Sequence, residues 1–191
     1  SQGTGTITND DPQPVVWTSL VGVSATGNNL TKTASSGWGT AGAISTQQLA
    51  SGDGYVEITA SETTTSRMFG LSNGNTNANY PDIDFALFLV NGGPLWIYQQ
   101  GTSIGSAGTY VSGDKLRVSV EGGVVKYRKN GTLLYSSLIA PTYPLFVDTA
   151  LDSQNATITA AVVSVNWSRA LSISDATVLE GNSGSSAATF T

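Results

Sequence analysis

The 191-residue sequence predicts an all-β domain of the sandwich or jelly-roll class, on three observations. Short runs of alternating apolar and polar residues recur along the chain, separated by Gly, Asn, Asp and Ser. No stretch holds the i, i+3, i+4, i+7 apolar spacing of an amphipathic helix over several turns. Two strong two-residue hairpin turns, Gly122-Gly123 and Asn130-Gly131, follow one another closely.

Strands are expected at 15–25, 41–46, 54–60, 66–72, 82–90, 94–100, 104–111, 114–121, 124–129, 132–136, 144–151 and 156–168. The two hairpin turns make 114–136 a three-stranded meander. With two-residue turns, Val120 faces Val125, Val118 faces Tyr127 and Tyr127 faces Leu134 on the buried side. The other face then carries Lys115, Arg117, Ser119, Lys126, Arg128, Leu133 and Tyr135. The run Asp82-Ile-Asp-Phe-Ala-Leu-Phe-Leu-Val90 ends in continuous apolar residues, as a central strand buried on both faces does. The tract from Asn73 to Asn79 before it reads as a loop.

Composition narrows the chemistry. Charged residues are 11% of the chain, well under the roughly 25% usual for soluble domains, while 39% are apolar. That apolar share argues for a packed core rather than disorder. Eight basic residues against 13 acidic ones leave a net charge of −5, which is no footprint for nucleic acid. The chain has no Cys and no His, which excludes thiol nucleophiles, Ser-His triads, histidine acid–base work and zinc sites. Oxygen-ligand metals such as calcium stay open. No apolar run is long enough to insert into a membrane.

Two resemblances add to this reading. The run Ser112-Gly-Asp-Lys-Leu-Arg-Val-Ser-Val-Glu-Gly-Gly-Val-Val-Lys-Tyr-Arg-Lys-Asn-Gly-Thr132, followed by Pro141-Thr-Tyr-Pro-Leu-Phe-Val147, resembles the strand–turn–strand core of concanavalin-A-like and SPRY-like jelly rolls. Such modules occur in large bacterial secreted and surface proteins. At the ends, Gly3-Thr-Gly-Thr-Ile-Thr-Asn-Asp-Asp-Pro12 is similar to the last strand of a Calx-β domain, and Leu171 to Gly184, continuing to Thr191, is similar to the first strands of another. The resulting organisation is a last-strand fragment at 1–13, a jelly-roll β-sandwich with extra terminal strands at 14–169, and a first-strand fragment at 170–191.

Four groups are candidates for chemistry. Concanavalin-A-like glucanases carry Glu-x-Asp-x-x-Glu on one strand; the matching positions here are Asp82, Asp84 and Leu87, so the acid–base residue is missing. Asp84 is expected to pair with Arg67 instead. Arg117 is expected directly opposite Arg128, so Arg117, Lys126 and Arg128 could hold an anionic ligand or an acidic partner, or line a solvated face. The aromatic and amide residues Trp38, Trp96, Tyr98, Tyr80, Asn75 and Asn77 are a sugar-binding set, or packing beside a polar loop. By resemblance to Calx-β domains, Asp10, Asp11 and Glu180 could bind calcium; no other cofactor is implied.

The expectation is a non-catalytic structural and adhesive module of a large secreted or cell-surface bacterial protein. It could be a fibre-forming repeat, joined to neighbouring domains or copies through its terminal strands. The alternative is a carbohydrate-binding, lectin-like domain.

Overall fold

The computed structural model describes residues 4–9, 11–165 and 167–172, with side chains over 11–165. The first strands in chain order are β1 (Thr4–Asn9), β2 (Gln13–Pro14), β3 (Trp17–Val21), β4 (Val23–Thr26), β5 (Asn29–Lys32), β6 (Gly42–Leu49), β7 (Gly54–Thr59), β8 (Arg67–Ser72) and β9 (Phe85–Leu89). They are followed by β10 (Pro94–Gln99), β11 (Thr102–Thr109), β12 (Lys115–Glu121), β13 (Val124–Lys129), β14 (Thr132–Ser136), β15 (Leu145–Leu151), β16 (Thr157–Ile158), β17 (Val162–Val165) and β18 (Trp167–Ser172).

Two units separate. Residues 10–166 make the larger one, a sandwich of a seven-stranded sheet, ordered β11-β10-β9-β8-β15-β6-β3, and a six-stranded sheet, ordered β14-β13-β12-β7-β17-β2. A small sheet of β16, β5 and β4 completes this unit. In the other unit β1 pairs with β18 as an antiparallel ladder, from Thr4 opposite Ser172 to Asn9 opposite Trp167.

Alternation along the strands builds the core. Val56, Ile58, Leu116, Val118, Val120, Val125 and Tyr127 of the six-stranded sheet meet Phe69, Leu71, Phe85, Leu87, Leu95, Ile97 and Val147 of the seven-stranded one. The intervening residues of the seven-stranded sheet start a second, smaller apolar cluster on its outer face, from Met68, Ala86 and Ala150 with Ile83. All six residues of β8 are buried because both its faces are covered.

The meander forms with Val120 opposite Val125, Val118 opposite Tyr127 and Arg117 opposite Arg128, as expected. Its second hairpin differs: a bulge between Tyr127 and Arg128 sets Tyr127 opposite Tyr135 rather than Leu134. Tyr135 therefore reaches the buried side, its ring 6.0 Å from that of Tyr127.

Three other expectations change. The strand expected at 82–90 begins only at Phe85, because Tyr80–Asp82 forms a 3-10 turn capped by Asn79. There Asp82 N–H bonds Asn79 O and Ile83 N–H bonds Tyr80 O, which takes backbone groups that a longer ladder would need. The strand expected at 15–25 is broken into two, β3 and β4, by left-handed Gly22, and left-handed Ser19 falls where the register of β3 on β6 shifts. The hairpin of β4 and β5, turning at Gly27-Asn28, has too few apolar residues to stand out in the sequence.

Candidate ligand-binding site

The outer face of the seven-stranded sheet is covered by the loop from Asn73 to Asp84. Its acids hold its shape. Asp82 Oδ2 accepts from the backbone N–H of Thr76 at 2.7 Å and of Asn77 at 3.4 Å, and Asp84 Oδ2 accepts from Asn73 N–H at 2.8 Å. Ser72 Oγ donates to Asp82 O at 2.8 Å, tying the loop to the end of β8. The two carboxylates thus belong to a turn rather than to a strand face, and Leu87 is buried between the sheets. The expected Asp84–Arg67 pair does not form. Arg67 bonds Glu62 at 2.7 Å, and its guanidinium lies 5.8 Å from the centre of the Tyr110 ring.

Four rings interlock on the covered face. Trp38 stands edge-on to Tyr80 at 5.1 Å and to Phe88 at 5.5 Å, and Tyr98 stands edge-on to Tyr80 at 5.9 Å and to Phe88 at 5.7 Å. Trp96 lies opposite Phe88 in the ladder and is 38% exposed. The loop carrying Trp38 is pinned from below. The buried Lys32 ammonium donates to Gly37 O at 2.9 Å and to Thr40 Oγ1, Leu151 O and Asp152 O, each at 2.8 Å. Burial, opposed by the Asp152 charge, lowers the Lys32 pKa.

The sequence-predicted sugar set divides. Trp38, Tyr80 and Tyr98 come together with Phe88, with Trp96 beside them, whereas Asn75 and Asn77 line a separate cavity of about 230 Å³. That cavity also holds Asp148, a site residue that the sequence reading missed. Its signal was a lone acid inside the apolar run of the strand expected at 144–151. Asp148 is 2% exposed. Its Oδ1 accepts from Thr149 N–H at 2.7 Å, while Oδ2 has no protein partner. Burial pushes its pKa well above the ordinary carboxylate value; the Thr149 N–H opposes this and the Asp82 and Asp84 charges reinforce it. Ser72 Oγ is near enough to lower the pKa slightly, but its proton is committed to Asp82 O.

Each of the predicted basic residues is paired with an acid. Arg117 bonds Glu57 at 2.8 Å and lies 3.7 Å from the centre of the Tyr55 ring. Lys126 at 3.0 Å and Arg128 at 2.8 Å both bond Glu121. The Arg128 hydrogen bond, with those from Lys126 and Ser119, outweighs desolvation and holds the Glu121 pKa down to about 2. Of the calcium candidates, Asp11 is exposed, and Asp10 and Glu180 fall outside the described residues. Among the described residues no group of three or more Asp, Glu, His or Cys side chains could hold a metal ion, and no helix is long and apolar enough to cross a membrane.

The two-sheet architecture is that of the jelly-roll β-sandwiches. A human SPRY domain superposes with a TM-score of 0.55 at 19% identity, over 78% of this chain and 97% of that one. The VIP36 exoplasmic/lumenal domain, solved in a Ca2+/Man2-bound form, superposes with a TM-score of 0.54 at 10% identity, over 75% of this chain and 78% of that one. The carbohydrate recognition domain of Emp46p, in a potassium-bound form, gives 0.54 at 12% identity, over 78% and 88%. At these identities the likeness is one of fold. No protein-family model and no curated protein sequence matches the chain.

Proposed function

We propose that the domain is a non-catalytic, carbohydrate-binding module of a secreted or cell-surface protein, used in adhesion. The observation that carries this reading is Trp96. A large ring stays 38% exposed on a sheet face whose neighbouring rings are locked edge-to-face. A flat, rigid, partly open aromatic is what a sugar ring stacks on through its C–H face. The likeness to the VIP36 domain, whose structure holds a mannose disaccharide, supports the same reading at the level of fold. The Glu-x-Asp-x-x-Glu pattern of the glucanases lacks its last acid, which stands against hydrolysis.

The test is a glycan array followed by titration of any hit. Trp96→Ala should weaken binding about tenfold while the fold persists, at a stability cost of about 2–3 kcal/mol for the covered part of the ring. Unchanged affinity in that variant, or silence on the array, rejects the reading.

A second reading, assembly through the terminal strands, is favoured by the β1–β18 ladder. A two-stranded ladder is marginal alone and gains from strands added by a neighbouring domain or copy. If sedimentation of the full chain shows monomer at all concentrations, assembly between copies is ruled out.

A further inference from the structure

The cavity at Asp148 lies on the same sheet face as the aromatic cluster but is not part of it. In the ladder Asp148 stands opposite Gly70, Gly70 opposite Ala86 and Ala86 opposite Tyr98, so three strand spacings separate the acid from Tyr98. Gly42 keeps the space open, and Gly70, opposite Asp148, lets β9 approach β8 closely. A side chain at Gly70 would overlap the Phe85 carbonyl, and one at Gly42 would overlap the Thr149 carbonyl and meet Ala78 Cβ at 3.2 Å.

The walls mix two kinds of surface. Asn75 and Asn77 bring amides, and Val21, Ala43 and Ala78 bring apolar surface. No basic side chain lines the cavity, and Asp82 and Asp84 lie close enough to act on Asp148, so an anion is disfavoured. Burial favours the protonated form of Asp148, and a protonated carboxyl can donate a proton as well as accept one. Amides, one buried carboxyl and short apolar side chains together match the alternating hydroxyl and C–H surface of a sugar or polyol.

We propose that this cavity binds one ring of a neutral hydroxylated ligand, a sugar residue or cyclic polyol, with a ligand hydroxyl hydrogen-bonded to Asp148 Oδ2. This rests on the carbohydrate reading above and adds a second contact point to the Trp96 platform. Left without a partner, a buried polar oxygen destabilises the fold, and a ligand hydroxyl removes that penalty.

The experiment is an NMR titration of the full chain with methyl glycosides of mannose, glucose and galactose and with inositol, following the amides of Thr149, Thr76 and Asn77 and the Trp96 indole N–H. The expected result is saturable shifts at the three amides for at least one probe, weakened about tenfold in both Asp148→Ala and Ala78→Leu. The second variant fills the cavity and leaves the acid in place, so loss in both is not a folding defect of one. If a probe moves the Trp96 indole alone, and both variants bind as the parent does, the cavity proposal falls while the carbohydrate reading stands. If no probe moves any of these signals, both fall. If calcium chloride moves the Thr149 amide and a chelator restores it, the cavity is a cation site and the neutral-ligand proposal is overturned.

Discussion

The two outer faces of the sandwich treat charge in opposite ways. On the six-stranded sheet, Arg117 and Arg128 stand directly opposite each other, and the clash is relieved by Glu57 on one side and Glu121 on the other. Arg117, Lys126 and Arg128 each have an acidic partner within hydrogen-bond reach. On the seven-stranded sheet a single acid, Asp148, is buried under a loop with one oxygen unpartnered. A face that has satisfied its own charges gains little from a ligand, whereas a buried acid without a full set of partners gains a great deal. The number of charges in the sequence points to the six-stranded sheet, and the unpartnered buried oxygen points to the seven-stranded one.

Three changes would break or sharpen this contrast. The largest effect is expected from Gly70→Ala on the seven-stranded sheet, where the new methyl overlaps the Phe85 carbonyl oxygen. Backbone must move, at roughly 3 kcal/mol, and differential scanning calorimetry should show Tm lower by about 10 °C. An unchanged Tm would mean that the covering loop is not held so closely.

Next is Glu121→Gln on the six-stranded sheet. It removes the shared partner of Lys126 and Arg128, and about 1 kcal/mol of stability should go, since these groups are partly exposed and screened. The pH dependence has a definite sign. The Glu121 pKa falls from 4.5 to about 2 in the folded protein, so its contribution is present above pH 4.5 and lost as pH drops towards 2. The variant should lack that acid limb in a urea series.

The smallest effect at any one pH is expected from Asp148→Asn, under about 1 kcal/mol at low pH, where a neutral amide replaces a protonated carboxyl. The slope is what changes. A folded pKa above the ordinary carboxylate value of 3.8 gives stability that is present at low pH and lost as pH rises through the folded value. Asp82 and Asp84, the acids acting on this group, remain in the variant. The parent should therefore lose stability on the alkaline side where the variant does not. Parallel curves would show that Asp148 ionises freely, and the contrast between the two faces would weaken.

What could be read in the sequence follows from how local each feature is. The meander register was legible because two-residue turns fix which residues face each other, and the Arg117–Arg128 opposition came with it. The second hairpin slipped at Tyr127 because a bulge leaves no mark in the residue types. Arg67 was assigned to Asp84 across the sheet, yet it takes Glu62, because the segment before β8 folds back on its own strand. The shared face of Trp96 and Tyr98 was evident from alternation. Asn75 and Asn77 were named as site residues, but not the acid they face. Alternation in Val147-Asp-Thr-Ala150 puts Asp148 opposite the core, a position that reads as solvent-exposed. Only the fold of the loop from residue 73 to 84 over that face turns it into a buried position.

Because β17 lies between β7 and β2, the six-stranded sheet closes only when residue 162 returns to residue 14. Closure over so long a stretch of chain makes for high contact order and slow folding. While the chain is being synthesised, β7 has no partner on that side until almost all of the sandwich has left the ribosome. Until then one edge of β7 stays open, and a fragment that stops before β17 leaves that edge unpaired.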